Sequence, residues 1–272
     1  MMKHISKWLL LITGLILFVP SAYYTTLMTI ERTHQGNIGS QFVIDSAEMI
    51  DPEIEFQLEG GYDIFELEGL EHDYVYTTAL AHYGDETIEM THELLADEVE
   101  YRDPRKSKVV PANLKLKLNG EVLDTYEGYD VNVERYYQDQ YRDHVSFLEI
   151  EDRKEDEEFF AVVIGLSNPI VRKKQRDEGQ IYIEGWTPVE EYEYRAFLIE
   201  HDGTWTREDF DYDNRTPLQT ELARTVSPSG IGHNTDALHY YPTYFFPFLY
   251  PYGSTLIGLV MIIIGFPRRK RD

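Results

Sequence analysis

The chain carries no charged residue between Lys7 and Glu31, and none again from Tyr240 to Pro267. Two such runs dominate what a chain of 272 residues can fold into. Trp8 to Ile30 is 23 residues. As a helix it would reach roughly 34 Å at 1.5 Å per residue, enough to cross a hydrocarbon core of about 30 Å with some tilt. Pro20 would kink it, which membrane helices tolerate. A cleaved signal peptide, with Ser21 or Ala22 at the cut, is the competing reading. Apolar character resumes in Tyr23, Tyr24, Leu27, Met28 and Ile30, which favours a retained span.

The second run holds STLIGLVMIIIGF over 254–266, with a helix expected over 244–266. Arg268, Arg269, Lys270 and Arg271 follow it directly, and cations in that place stay on the cytoplasmic side of a membrane. Lys3 and Lys7 favour the same side for the N-terminus. The expected organisation is a cytoplasmic N-terminus at 1–7, a span at 8–30, an extracytoplasmic domain at 31–239, a second span at 244–266 and a basic tail at 267–272. Trp8, Tyr244, Tyr250 and Tyr252 suit anchors at headgroup depth, with Arg268 to Arg271 beyond them. With tails of about seven residues at each end, no cytoplasmic output domain is expected.

The stretch between the runs, 31–239, holds 19 basic and 48 acidic residues, a net charge of −29. A field of that sign repels nucleic acid and anionic headgroups, so a nucleic-acid partner is excluded. It also strains the compact state unless salt or bound cations screen it, a composition suited to a very salty cell. With no cysteine, the chain has neither a disulfide framework nor a thiolate metal site.

This middle reads as strands. Asn113 to Leu118 alternates, Asn119-Gly120 supplies a type I′ turn, and Glu121 to Tyr126 returns. A two-residue loop would set Leu118 opposite Glu121, Leu116 opposite Leu123 and Lys115 opposite Asp124. Glu53 to Glu59, Gly60-Gly61 and Tyr62 to Glu68 read as a second hairpin, one face of which pairs glutamate with glutamate. Further strands are expected at 41–45, 73–81, 145–150, 181–184, 191–199 and 204–212. Phe159 to Leu166, FFAVVIGL, reads as a strand buried on both faces. Ile88 to Val99 fits a short helix through Met90, Leu94, Leu95 and Val99. Arg102 to Pro111 suits a linker, which leaves one or two antiparallel β-sandwiches. The fold class is thus mainly β, with a membrane helix at each end.

The chemical motifs fall short. His92-Glu93 opens like a zinc-protease helix, yet Ala96 stands where the second histidine belongs. Ser167 follows an apolar strand as in a nucleophile elbow, but Pro169 replaces the second glycine. Asp209, Asp211 and Asp213 alternate like the start of a calcium loop, with Asn214 in the glycine place. A plain acidic strand fits them as well. His72, His82 and His92 recur every ten residues without ligand spacing around them. Asn214-Arg215-Thr216 is a glycosylation sequon, and Arg172 to Arg176 is a basic island. No cofactor is implied beyond calcium or monovalent cations. The expected role is a cell-surface interaction or structural module with the lipid bilayer and a membrane or envelope protein as partners. An accessory or sensory subunit acting through a lateral partner is the alternative, and an extracytoplasmic metal-dependent enzyme is a more distant one.

Overall fold

A computed structural model describes residues 2–47, 78–95, 109–132, 141, 144–167, 170–175, 181–227, 231–234 and 246–266. The Glu53–Glu68 hairpin, His72, Tyr244 and the Arg268–Arg271 tail lie outside these residues. The chain divides into two compact units, Ser40–Ser229 and the two ends, Met1–Gly39 with Gly230–Asp272.

The first unit is antiparallel β. Strand β1 (Phe42–Ser46) follows helix α1 without a break. Then come β2 (Thr78–Tyr83), β3 (Glu86–Leu94), β4 (Val109–Leu118), β5 (Glu121–Asn132), β6 (Val145–Asp152), β7 (Glu157–Gly165), β8 (Ile170–Gln175), β9 (Ile181–Trp186), β10 (Glu193–Ile199) and β11 (Trp205–Asp211). Five form one sheet in the order β1-β6-β7-β10-β11, and four form another in the order β2-β3-β4-β5. β8 and β9 pair as a separate ribbon that takes in Arg172, Lys173 and Lys174. Buried side chains of both large sheets join one apolar cluster, with Ile88, Met90, Leu114 and Leu116 from one and Phe147, Phe160, Val162 and Phe197 from the other.

Strand β7 is buried from Phe159 to Gly165, as a continuous apolar run requires. Its second face is covered by helix α2 (Pro217–Val226), whose Leu222, Ala223 and Val226 are buried. The start of α2 is set by Thr216. Its hydroxyl accepts from the Gln219 amide while the Gln219 side chain accepts from the Thr216 amide, and Pro217 fills the first turn.

Residues 88–94 form strand β3 and not a helix. Ile88, Met90 and His92 are buried at every second position, and β3 pairs with β2 on one side and β4 on the other. The apolar spacing fitted both periods, and ladder pairing on two sides decides it.

The β4–β5 hairpin has the expected turn, with Asn119 at φ 51° and Gly120 at φ 80°. Leu118 does face Glu121, but a bulge then shifts the register. Leu116 faces Asp124 and Lys115 faces Thr125, with Leu123 as the extra residue. The cation–anion pair on the outer face is instead Lys117 with Glu89 of β3, at 3.0 Å.

The second unit holds α1 (Met2–Gln41) and α3 (Ser254–Gly265), with a wide helical turn at Phe248–Gly253 before α3. Both stretches are long and apolar enough to cross a membrane. Regular helix begins at Ser254, later than the expected 244. Tyr250 precedes Pro251 and is extended (φ −140°, ψ 127°), because the proline ring disfavours helical backbone in the residue before it.

Candidate functional sites: the helix seam and the cross-sheet arginine

α1 and α3 pack antiparallel through small residues. Gly14, Ser21 and Met28, seven apart on α1, are all buried. A Cβ on Gly14 would lie 2.9 Å from the Gly258 carbonyl oxygen, and one on Gly258 would lie 2.8 Å from the Phe18 amide nitrogen. Near the other end a Cβ on Gly265 would meet the Leu11 amide nitrogen at 2.6 Å. The backbones therefore touch, which only glycine allows.

Hydroxyl pairs cross the same seam. Ser254 Oγ donates to Ser21 Oγ at 2.8 Å, and the Thr25 and Thr255 hydroxyls lie 2.9 Å apart. At the polar end Glu31 is buried, and its carboxylate accepts the backbone N–H groups of His233 and Asn234. His233 Nδ1 lies 3.4 Å from the same carboxylate.

The outer surfaces are the reverse. Trp8, Ile12, Ile16 and Val19 on α1 are exposed, as are Leu256, Ile257, Ile263 and Ile264 on α3. Ile16 is 70% exposed and Leu256 63%. Glycine, serine and a carboxylate face inward while the large apolar side chains face out, the opposite of a water-soluble helix pair. Of the expected anchors, Tyr250 packs against Tyr24 with ring centroids 6.0 Å apart, and Tyr252 lies 5.6 Å beneath the Arg32 guanidinium.

In the β unit, charged side chains converge between the edge strands β5 and β11. Arg195 of β10 lies on the parity of Phe197 and Ile199, which enter the shared core. It grips Asp209 with two bonds, Nε–Oδ1 at 2.7 Å and Nη2–Oδ2 at 2.9 Å. Its third nitrogen, Nη1, donates to Asp124 Oδ2 of the opposite sheet at 2.6 Å. Arg207 adds a bond to Asp209 at 2.9 Å, and Tyr126 donates to Asp124 at 3.0 Å. Two guanidinium groups thus balance two carboxylates.

Hydrogen bonds from Arg195 and then Arg207 hold the Asp209 carboxyl well below the usual carboxylate range. Burial, reinforced by Asp124, pushes the Tyr126 phenol far above its ordinary value. Burial likewise raises Tyr129 to about 12. These shifts hold Asp209 charged and the Tyr126 and Tyr129 phenols neutral near pH 7, and the Arg195 bonds join the two sheets.

The bulge creates this link. Without Leu123 as an extra residue, Asp124 and Tyr126 would fall on the outward parity of β5. The cluster escaped the sequence reading, although an arginine on the apolar parity of 191–199 was its visible signal.

The motif residues are spread apart. His92 and Glu93 sit on β3, and His92 Nδ1 is bonded to the Tyr141 hydroxyl at 2.9 Å inside the core. Burial lowers the His92 pKa to about 4, and its Nε2 has no hydrogen-bond partner among the described residues. Ser167 accepts from the Glu193 amide and donates to the Glu191 carbonyl, tying the end of β7 to β10. Asp209 serves the arginines. Asp211 accepts from the Asp213 and Asn214 amides and from the Asn214 side chain, the sequon residue. Among the described residues no three His, Asp or Glu side chains are grouped to hold a metal.

Comparisons with protein-family models, with curated proteins and with solved structures give no match.

Proposed function

We propose that the chain is a two-span membrane protein presenting an acidic β-sandwich outside the cytoplasm, as an interaction or structural module of a cell surface. One observation carries this reading. The helix pair hides Gly14, Ser21, Glu31, Ser254 and Gly258 and exposes isoleucine, leucine and tryptophan. That distribution is stable against lipid tails and costly against water.

The cations at both ends favour the cytoplasm for both termini, which leaves the net charge of −29 in 31–239 on the other side. A domain whose clustered arginines are locked to carboxylates suits binding and support better than catalysis. The charge favours a salty medium, where short screening lengths relieve self-repulsion.

Protease added to intact cells tests the arrangement. Loss of 31–239 with survival of both helices is expected. Full protection of the middle, or a full-length product that stays soluble without detergent, overturns it. The apolar outer faces of α1 and α3 also suit a lateral membrane partner, and a stoichiometric companion after extraction in mild detergent would favour the accessory-subunit reading.

A further inference from the structure

We propose, on the two-span reading of α1 and α3, that Arg32 binds the phosphate of an anionic phospholipid in the outer leaflet. Arg32 is the first cation after the charge-free run of α1, and it is exposed. With 8–30 centred in a hydrocarbon core of about 30 Å, its Cα lies about 4–6 Å beyond the outer edge, inside a headgroup layer of roughly 5–8 Å. Side chains on a helix lean toward its N-terminus, and for α1 that lean is toward the bilayer.

The surroundings hold the guanidinium and leave its donors open. The Tyr252 ring lies 5.6 Å from it and attracts the cation through the ring face. A ring face takes up none of the five N–H donors, which keep the planar fork that fits two phosphate oxygens at once. The adjacent carboxylate, Glu31, is buried and accepts the His233 and Asn234 amides. α1 therefore turns its last acid into the seam and its last base outward.

The 48 acids of 31–239 repel anionic headgroups at long range. Molar salt cuts that reach to about 3 Å, while a direct bond between guanidinium and phosphate survives. A salty medium thus removes the repulsion and spares the contact.

The test uses the full chain. Since it has no cysteine, Thr29→Cys takes a single uncharged fluorophore at an exposed position one turn nearer the bilayer than Arg32. The labelled chain enters phosphatidylcholine vesicles in molar potassium chloride. These carry an equal small share of nitroxide-labelled phosphatidylglycerol or of nitroxide-labelled phosphatidylcholine, whose choline neutralises its phosphate. Quenching should show phosphatidylglycerol enriched about threefold beside the label. Arg32→Gln should bring the two lipids level, and Arg32→Lys should keep part of the preference. Equal quenching by both lipids in the parent chain, or a preference that survives Arg32→Gln, would overturn the proposal and leave the two-span reading intact. Loss of the preference in excess sodium phosphate at constant ionic strength would assign the site to free phosphate and overturn it too. Quenching by neither lipid would put α1 outside the bilayer, and both readings would fall.

Discussion

Arg195 of one sheet and Asp124 of the other meet at 2.6 Å, and both side chains are more than four-fifths buried. Removing one partner leaves the other charged and poorly solvated. Asp124→Ala is expected to cost about 2–4 kcal/mol in urea unfolding, and Arg195→Met about as much. The double variant should cost less than the sum, because it strands no charge. Strict additivity would show that the two sheets are not coupled through this pair.

His92 makes the β unit acid-sensitive. Its folded pKa is about 4 against an ordinary 6.5, so below pH 6.5 the unfolded chain binds a proton that the folded chain excludes. Stability is therefore lost as the pH falls from 6.5 toward 4, by up to about 3 kcal/mol. His92→Gln should lower stability at pH 7 and flatten this slope relative to the parent chain. Urea melts at pH 7 and 4.5 on both proteins measure the difference, and parallel slopes would remove His92 as the cause.

The helix seam has no room for a methyl group. Gly258→Leu should force α1 and α3 apart, at about 1–3 kcal/mol or more. Since the chain has no cysteine, Ser21→Cys with Ser254→Cys gives a clean reporter. Oxidation should cross-link that pair in the parent background and fail when Gly258→Leu is added. Equal cross-linking in both would mean that the helices do not rely on the glycine contact.

Low salt should destabilise the β unit. With a net charge of −29 in 31–239, unscreened repulsion favours the expanded chain. Tm should be higher in molar potassium chloride than in about 10 mM, where screening extends to about 30 Å. An unchanged Tm would show that the acidic surface has no energetic consequence for folding.

Sequence alone located the features that repeat a local rule. Asn119-Gly120 names its turn because both residues need positive φ. FFAVVIGL names a strand covered on both faces because it has no polar parity. What escaped depends on partners distant in the chain. Met90 and Leu94 fit a helix until β2 and β4 pair with β3 on either side. One extra residue, Leu123, reverses the parity of β5 and turns Asp124 toward Arg195, and no local signal announces it. α2 was legible in principle, since Thr216-Pro217 followed by Gln219 spells a capping box. At the seam the charge-free runs were plain, but the seven-residue spacing of Gly14, Ser21 and Met28 gains meaning only beside α3.

Ser254 follows its seam partner Ser21 by 233 positions. At roughly 5–20 residues per second, a ribosome needs roughly 10–50 s to travel from one to the other. Throughout that interval the first helix exists without its mate, and for most of it the His233 and Asn234 amides that bind Glu31 have not been made. Until α3 is made, the Gly14 and Ser21 face of α1 stays uncovered, and the seam closes only after the whole β unit has been synthesised.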